Sequence, residues 1–203
     1  MRQNLFMSDE PTRGLRERKK ERTRRTIRSQ AFRLFREQGY SETTTEQIAA
    51  AADVSPSTFF RYFPTKEQLV LADDLDPLII AAVRKQPADV PPLTALRLAA
   101  LQVFGELSEE DREFEQTRQS FLFAVPELRL AVGLEFDRNI DLLAGLLAER
   151  TGRQPDDFEL RVTAGAVSGA ILSLRDPGAL DNQSIFRALE FVEDGLPLTR
   201  RTT

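Results

Sequence analysis

Thr43-Thr44-Thr45-Glu46-Gln47-Ile48-Ala49-Ala50-Ala51-Ala52-Asp53-Val54-Ser55-Pro56-Ser57-Thr58-Phe59-Phe60-Arg61-Tyr62-Phe63 is the stretch that decides how this chain of 203 residues folds. Thr44 followed three residues later by Gln47 is a capping box, which starts a short helix running to about Ala52. Asp53 falls where the chain must turn, and Asp enters the left-handed region more readily than most non-glycine residues. Ser55-Pro56 reads as an N-cap and a first helical position, where the missing N–H of proline costs nothing. The second helix runs from Pro56 to about Phe63. Pro64 ends it, and Thr65 with Gln68 forms another capping box that opens the next helix. Two short helices joined by about three residues make a helix-turn-helix.

The second helix is sorted by its own periodicity. At 100° per residue Phe59 and Phe63 share one face and must point inward. Arg61 lies roughly opposite, with Ser57 and Thr58 near it and with Phe60 and Tyr62 on the flanks. That outward face can serve DNA: Arg for guanine N7 and O6, hydroxyls for bases or phosphate, a Thr methyl for a thymine methyl. The helix starts at Pro56 and Lys66 add N–H groups suited to phosphate. On an isolated helix the same residues would simply keep a surface soluble.

Outward toward the N-terminus, Arg13, Arg16, Arg18, Lys19, Lys20, Arg22, Arg24, Arg25 and Arg28 are opposed only by Glu17 and Glu21. Residues 1–70 carry 14 Lys and Arg against nine Asp and Glu, and the remainder carries 14 against 23. A basic start on an acidic body suits local contact with a polyanion, the alternative being a solvated tail. From about Arg16 this stretch continues into the stripe Ile27, Ala31, Leu34 and Phe35, one amphipathic helix that Gly39 should cap. Residues 1–12 show no periodicity and read as a disordered tail, with Met7 as a second candidate start.

The chain contains no cysteine and no histidine. Disulfides, thiolate chemistry, Ser-His or Cys-His triads and the commonest metal ligands are therefore excluded, and no metal or cofactor is expected. An enzyme would have to rely on groups such as the carboxylate pairs Asp73/Asp74 or Asp156/Asp157, which sit at predicted helix ends where acids cap. No apolar run is long enough to span a membrane, and no start resembles a signal peptide, so a cytoplasmic protein is expected.

Toward the C-terminus everything reads as helix, and the fold class is all-α. Leu69 to about Asp76 continues toward Pro77, which should end or kink that helix. Three prolines in residues 87–92 form a linker. Leu93, Leu96, Ala100, Phe104 and Leu107 make one stripe, and Phe114, Arg118, Phe121 and Val125 another. Leu128, Val132, Phe136, Ile140, Leu143 and Leu147 form a long one ending at Gly152. A second stripe on that helix (Leu130, Leu134, Leu142, Leu146) predicts burial on more than one side. Two last helices, about Pro155–Leu174 and Asp181–Gly195, flank Arg175-Asp176-Pro177-Gly178.

Gly39-Tyr40, Thr43 to Ala49 and Ala52 to Leu69 together resemble the signature of the TetR family of bacterial transcriptional regulators, in the right order and spacing over roughly residues 20–70. The resemblance implies about nine helices. The first three form a DNA-binding domain, the middle ones enclose an effector pocket, and the last two pair in a four-helix dimer interface. It implies that Pro56 to Tyr62 enter the major groove and that Thr45, Tyr62 and Lys66 contact phosphates. With Arg24, Arg25 and Thr44, the candidate DNA-binding set is Pro56, Ser57, Thr58, Phe60, Arg61, Tyr62, Lys66 and Thr45. Two departures stand out. Asp53 occupies a usual glycine position, and Phe60 stands where a tyrosine often gives its hydroxyl to phosphate. Phe60 is then either packed on the helix or touching sugar or methyl groups.

The expected division is a tail (1–12), a DNA-binding domain (13–68), an effector-binding and dimerisation domain (69–196) and a C-terminal tail (197–203). Effector candidates are Phe104, Phe114, Arg118, Phe121, Phe136 and Asn139, joined by Gln116, Phe123 and Glu135. Such stripes serve as core as readily as pocket; a cavity lined this way would favour a largely apolar small molecule. Dimer candidates are Phe158, Val162, Gly165, Gly169 and Ile171, then Ile185, Leu189 and Val192. The small residues permit either close approach of a partner or tight packing within one chain. A homodimer fits the palindromic half-sites that helix-turn-helix proteins usually bind. The expected partners are operator DNA, a small-molecule effector and a second copy, with no membrane. The expected mechanism is reciprocal linkage between effector and DNA, carried by the helix near Leu69–Leu75.

Overall fold

The computed structural model describes residues 14–174 and 182–197 of the chain. The expected tail at 1–12, the break at 175–178 and all but Pro197 of the C-terminal tail lie outside them. Among the described residues there are ten α-helices and no strand, so the chain is all-α. In order they are α1 (Leu15–Gln38), α2 (Thr45–Ala51), α3 (Pro56–Tyr62), α4 (Glu67–Leu71), α5 (Asp76–Lys85), α6 (Pro92–Glu106), α7 (Glu109–Ala124), α8 (Arg129–Thr151), α9 (Phe158–Ser173) and α10 (Asn182–Glu193). A single 3-10 turn, Pro126–Leu128, precedes α8.

Pro77 does the opposite of what its position implied. It does not end a helix but lies in the first turn of α5, where a proline lacks no needed hydrogen bond. The preceding helix stops at Leu71, and the Asp73 carboxylate accepts from the Leu75 N–H at 2.8 Å on the way into α5. The helix expected from Leu69 to about Asp76 therefore stops at Leu71, and Asp76 opens the next one.

The chain forms two compact units. Of the described residues, the first comprises those up to Ala72 together with Ser108–Arg129, the second Asp73–Leu107 together with those from Leu130 onward. α7 thus belongs with the helix-turn-helix. Its Phe114 and Phe121 pack on a core built from Ile27, Ala31, Phe32 and Phe35 of α1, Ile48 of α2, Phe59 of α3, and Leu69 and Val70 of α4. Phe32 meets Phe114 edge-to-face at 5.1 Å and lies 5.8 Å from Phe121, in the range favoured by aromatic pairs.

Two buried arginines complete that core. Arg28 donates from Nε to the Leu69 carbonyl at 3.2 Å and from a terminal nitrogen to the Ala72 carbonyl at 2.8 Å. Arg118 donates to the Val70 carbonyl at 3.1 Å and pairs with the buried Glu115 carboxylate. The last carbonyls of a helix have no partner within it. Here guanidinium groups from α1 and α7 supply one, at the end where the helix dipole favours a cation. Phe114, Arg118 and Phe121, expected around an effector, are core and strut of the first unit instead. A charge this deep is stable only when paired, which is the physical reason for the difference.

In the second unit α6 packs on α5 and α10, and α10 packs on α9. Ile185, Leu189 and Val192 are buried there, so the three residues expected at a dimer interface from α10 are already covered within one chain. Thr94 and Arg97 of α6 both donate to Glu193 of α10, and Arg150 donates to the carbonyls of Val83, Gln86, Pro87 and Val90 at the end of α5. The expected second buried stripe of α8 is mostly open: Leu130, Leu134 and Leu142 are exposed, and only Leu146 is buried.

Candidate nucleic-acid interface

α2 begins with a complete capping box. Thr44 Oγ1 accepts from the Gln47 N–H at 3.2 Å, and Gln47 Oε1 accepts from the Thr44 N–H at 2.9 Å. It ends in a Schellman pattern: the Val54 N–H reaches the Ala49 carbonyl (3.0 Å) and the Asp53 N–H reaches the Ala50 carbonyl (3.2 Å). Asp53 has φ 53°, so it carries the left-handed turn that the motif ordinarily gives to glycine. Ser55 then caps α3, its Oγ accepting from the Thr58 N–H at 3.2 Å, with Pro56 in the first turn.

The faces of α3 fall as the wheel assigned them. Phe59 is fully buried and Phe63 nearly so, while Ser57, Phe60 and Arg61 are exposed, Phe60 to 44%. The Phe60 ring rests edge-on against Phe59 at 5.3 Å, leaving much of its surface uncovered. The Arg61 guanidinium lies 5.5 Å from the centroid of the half-buried Tyr62 ring. The Ser57 and Thr58 hydroxyls each lie 3.0 Å from Ser55 Oγ, so they serve the cap as well as the surface.

Glu17, Lys20, Glu21 and Arg24 of α1 line an open groove of about 370 Å³ with Arg61 and Tyr62 of α3. Their spacing puts the four α1 residues on one helical face. Arg24 stands over the Phe63 ring at 5.3 Å. Arg25 departs from expectation: it donates at 3.0 Å to the buried Asp111 of α7, so its guanidinium braces the unit. Thr45 is half-buried, and its hydroxyl donates to Glu46 at 3.2 Å, helping to hold that carboxyl below its ordinary range after the backbone N–H bond.

The remaining expected positions scatter. Phe104 is buried and meets Phe186 edge-to-face, Phe136 is half-buried, Glu135 pairs with Arg138, and Gln116 and Asn139 are exposed. On α9, Phe158 and Val162 are exposed, while Gly165, Gly169 and Ile171 are half-buried. Asp157 caps α9 by accepting from the Glu159 and Leu160 N–H groups. Among the described residues no acidic cluster could hold a metal, and no helix is long and apolar enough to cross a membrane. Sequence reasoning missed Arg28 as a structural residue, although it lies on the same helical face as Ala31, Phe32 and Phe35.

Comparison with known proteins agrees with this geometry. A family model described as bacterial regulatory proteins, tetR family, matches residues 27–72, and one described as MftR C-terminal domain matches residues 90–197. The HTH-type transcriptional regulator TcmR of Streptomyces glaucescens is 38% identical over 152 residues, covering 71% of this chain and 67% of the relative. The putative mycofactocin biosynthesis transcriptional regulator MftR of Mycobacterium tuberculosis is 25% identical over 186 residues, covering 88% and 93%. Among solved structures, NalD, the secondary repressor of the MexAB-OprM multidrug efflux pump in Pseudomonas aeruginosa, matches with a TM-score of 0.53 and 25% identity, covering 88% of this chain and 97% of its own. These relatives are regulators rather than enzymes. The chain belongs to the TetR family of bacterial transcriptional regulators, DNA-binding helix-turn-helix proteins that form dimers and bind small-molecule ligands.

Proposed function

We propose that the chain is a cytoplasmic repressor that holds a palindromic operator as a homodimer and leaves it when a largely apolar small molecule binds the second unit. The observation that carries this reading is α3: capped at Ser55, anchored inward by Phe59, and presenting Ser57, Phe60, Arg61 and Tyr62 outward. Arg61 reads a guanine edge, the exposed Phe60 ring meets a thymine methyl, and Thr45, Tyr62 and Arg24 meet phosphates. Repression follows the printed role of NalD. The ligand class follows the apolar residues of the second unit, Phe104 and Phe136 among them; among fold neighbours, the Thermus thermophilus FadR structure holds lauroyl-CoA and a SmeT structure holds triclosan.

The dimer surface proposed is α9. Phe158 and Val162 are exposed one turn apart on it. A Cβ added at Gly169 would meet nothing within 4 Å, and one at Gly165 only Ile140 Cδ1 at 3.9 Å. Neither glycine is required by packing among the described residues, which favours the close approach of a partner.

Selection of binding sites from random duplex DNA at fixed salt tests the reading. The expected product is a palindrome with half-sites about 34–36 Å apart or a multiple of that. Recovery of no enriched sequence by folded, dimeric protein would sink it.

A further inference from the structure

α4 is five residues long, too short to keep its shape as an isolated helix, so its surroundings decide where it stands. Two buried arginines from other helices grip its tail. Arg28 of α1 donates to the Leu69 carbonyl at 3.2 Å and to the Ala72 carbonyl at 2.8 Å. Arg118 of α7 donates to the Val70 carbonyl at 3.1 Å. Each guanidinium is itself oriented. Arg28 stands 4.9 Å from the centroid of the Phe114 ring, and Arg118 pairs with the buried Glu115, which also accepts from Gln119. An apolar side chain could fill the same volume, but only a planar fork of donors fixes where those carbonyls lie.

The head of α4 is fastened differently. Lys66 Nζ donates to the Tyr40 carbonyl at 2.9 Å and the Thr43 carbonyl at 3.1 Å, in the turn just before the Thr44 cap of α2. An ammonium has three N–H donors, so the third can meet the phosphate that the family resemblance implies. At roughly 1.5 Å per residue α4 spans about 7.5 Å, so its pinned tail stands within two turns of Lys66. The helix works as a splint, set by two guanidinium groups at one end and carrying Lys66 and the α2 turn at the other.

We propose that Arg28 and Arg118 are positioning residues for operator binding. By holding the Leu69, Val70 and Ala72 carbonyls they set the place of Lys66, and through it of the turn before Thr44 and Thr45, without touching DNA themselves. This rests on the operator-binding reading above. If the wild-type protein selects no operator, that reading fails before any variant is made.

The experiment titrates the selected operator with the wild-type protein and with the double variant Arg118→Met, Glu115→Leu, each with and without Lys66→Ala. Circular dichroism fixes a temperature and salt at which all four are folded. The double variant exchanges a buried ion pair for apolar volume, which keeps stability near that of wild type. Its operator affinity nevertheless falls about tenfold, because the groups around Lys66 are no longer held in place. In that background Lys66→Ala costs at least about threefold less affinity than in wild type, since the lysine is already misplaced. A folded double variant that binds within about twofold of wild type overturns the proposal, and so does a Lys66→Ala effect equal in both backgrounds. Should the double variant fail to fold, Arg28→Lys, which keeps a cation without the fork, is judged by the same two readouts.

Discussion

In the first unit two large apolar side chains are exposed among the described residues, Leu15 at the start of α1 and Phe60 on α3. In the second unit there are nine: Leu98, Leu101, Leu130, Leu134, Leu142, Phe158, Val162, Phe191 and Leu196. Scattered exposed leucines need no explanation, but several together on α8 and α9 do. The DNA-reading unit closes its core with aromatics from α1, α3 and α7 and pins α4 with two arginines. It is finished within one chain, except where DNA is to cover it. Among the described residues the second unit leaves apolar surface uncovered. A reader must hold its helices rigidly to discriminate bases, whereas the dimerising and ligand-responsive role proposed for the second unit needs surface kept open for partners.

The sharpest way to break that contrast is to open the reader's core. Phe32→Ala removes a buried ring that Phe35, Phe114 and Phe121 surround, and should cost about 3–5 kcal/mol in denaturant unfolding. An effect under about 1 kcal/mol would mean that the aromatic cluster is not what holds the reader. Arg118→Met should cost a similar 3–5 kcal/mol at most, because it removes the guanidinium that pairs with the buried Glu115 carboxylate. The double variant with Glu115→Leu should recover most of the loss. Hydrogen exchange at α4 would report whether the strut acts where the structure places it.

The second unit is tested at its open face. Gly169→Ala adds a Cβ that meets nothing within 4 Å among the described residues, so it should leave the monomer folded and weaken the dimer in sedimentation. A dimer of unchanged strength would move the interface off α9. The smallest effect belongs to the reading surface: Arg61→Ala should cost about 1–3 kcal/mol at one base pair of the operator and relax preference there. Uniform weakening across all sequences would make Arg61 a backbone contact instead.

Legibility followed the range of each interaction. The caps at Thr44 and Ser55, the left-handed turn at Asp53 and the inward side of α3 all came through correctly, since each depends on residues within one or two turns. Pro77 was misread because a proline looks the same at the end of one helix and the start of the next. Phe114 and Phe121 were assigned to a pocket because a stripe shows that a face is buried, not which unit buries it.

The chain's local order alone determined an all-helical fold with a capped helix-turn-helix, a basic leading helix and an outward face on α3 that offers Ser57, Phe60 and Arg61. Tertiary structure decided what the long cationic side chains do. Arg28 finds carbonyls 41 and 44 residues away, Arg118 finds one 48 residues away, Lys66 finds two at 26 and 23, and Arg25 finds an acid at 86. Backbone carbonyls are present at every residue, so no spacing in the sequence marks which of them a guanidinium or ammonium will reach. Only folding, by burying the alternatives and excluding water, selects one.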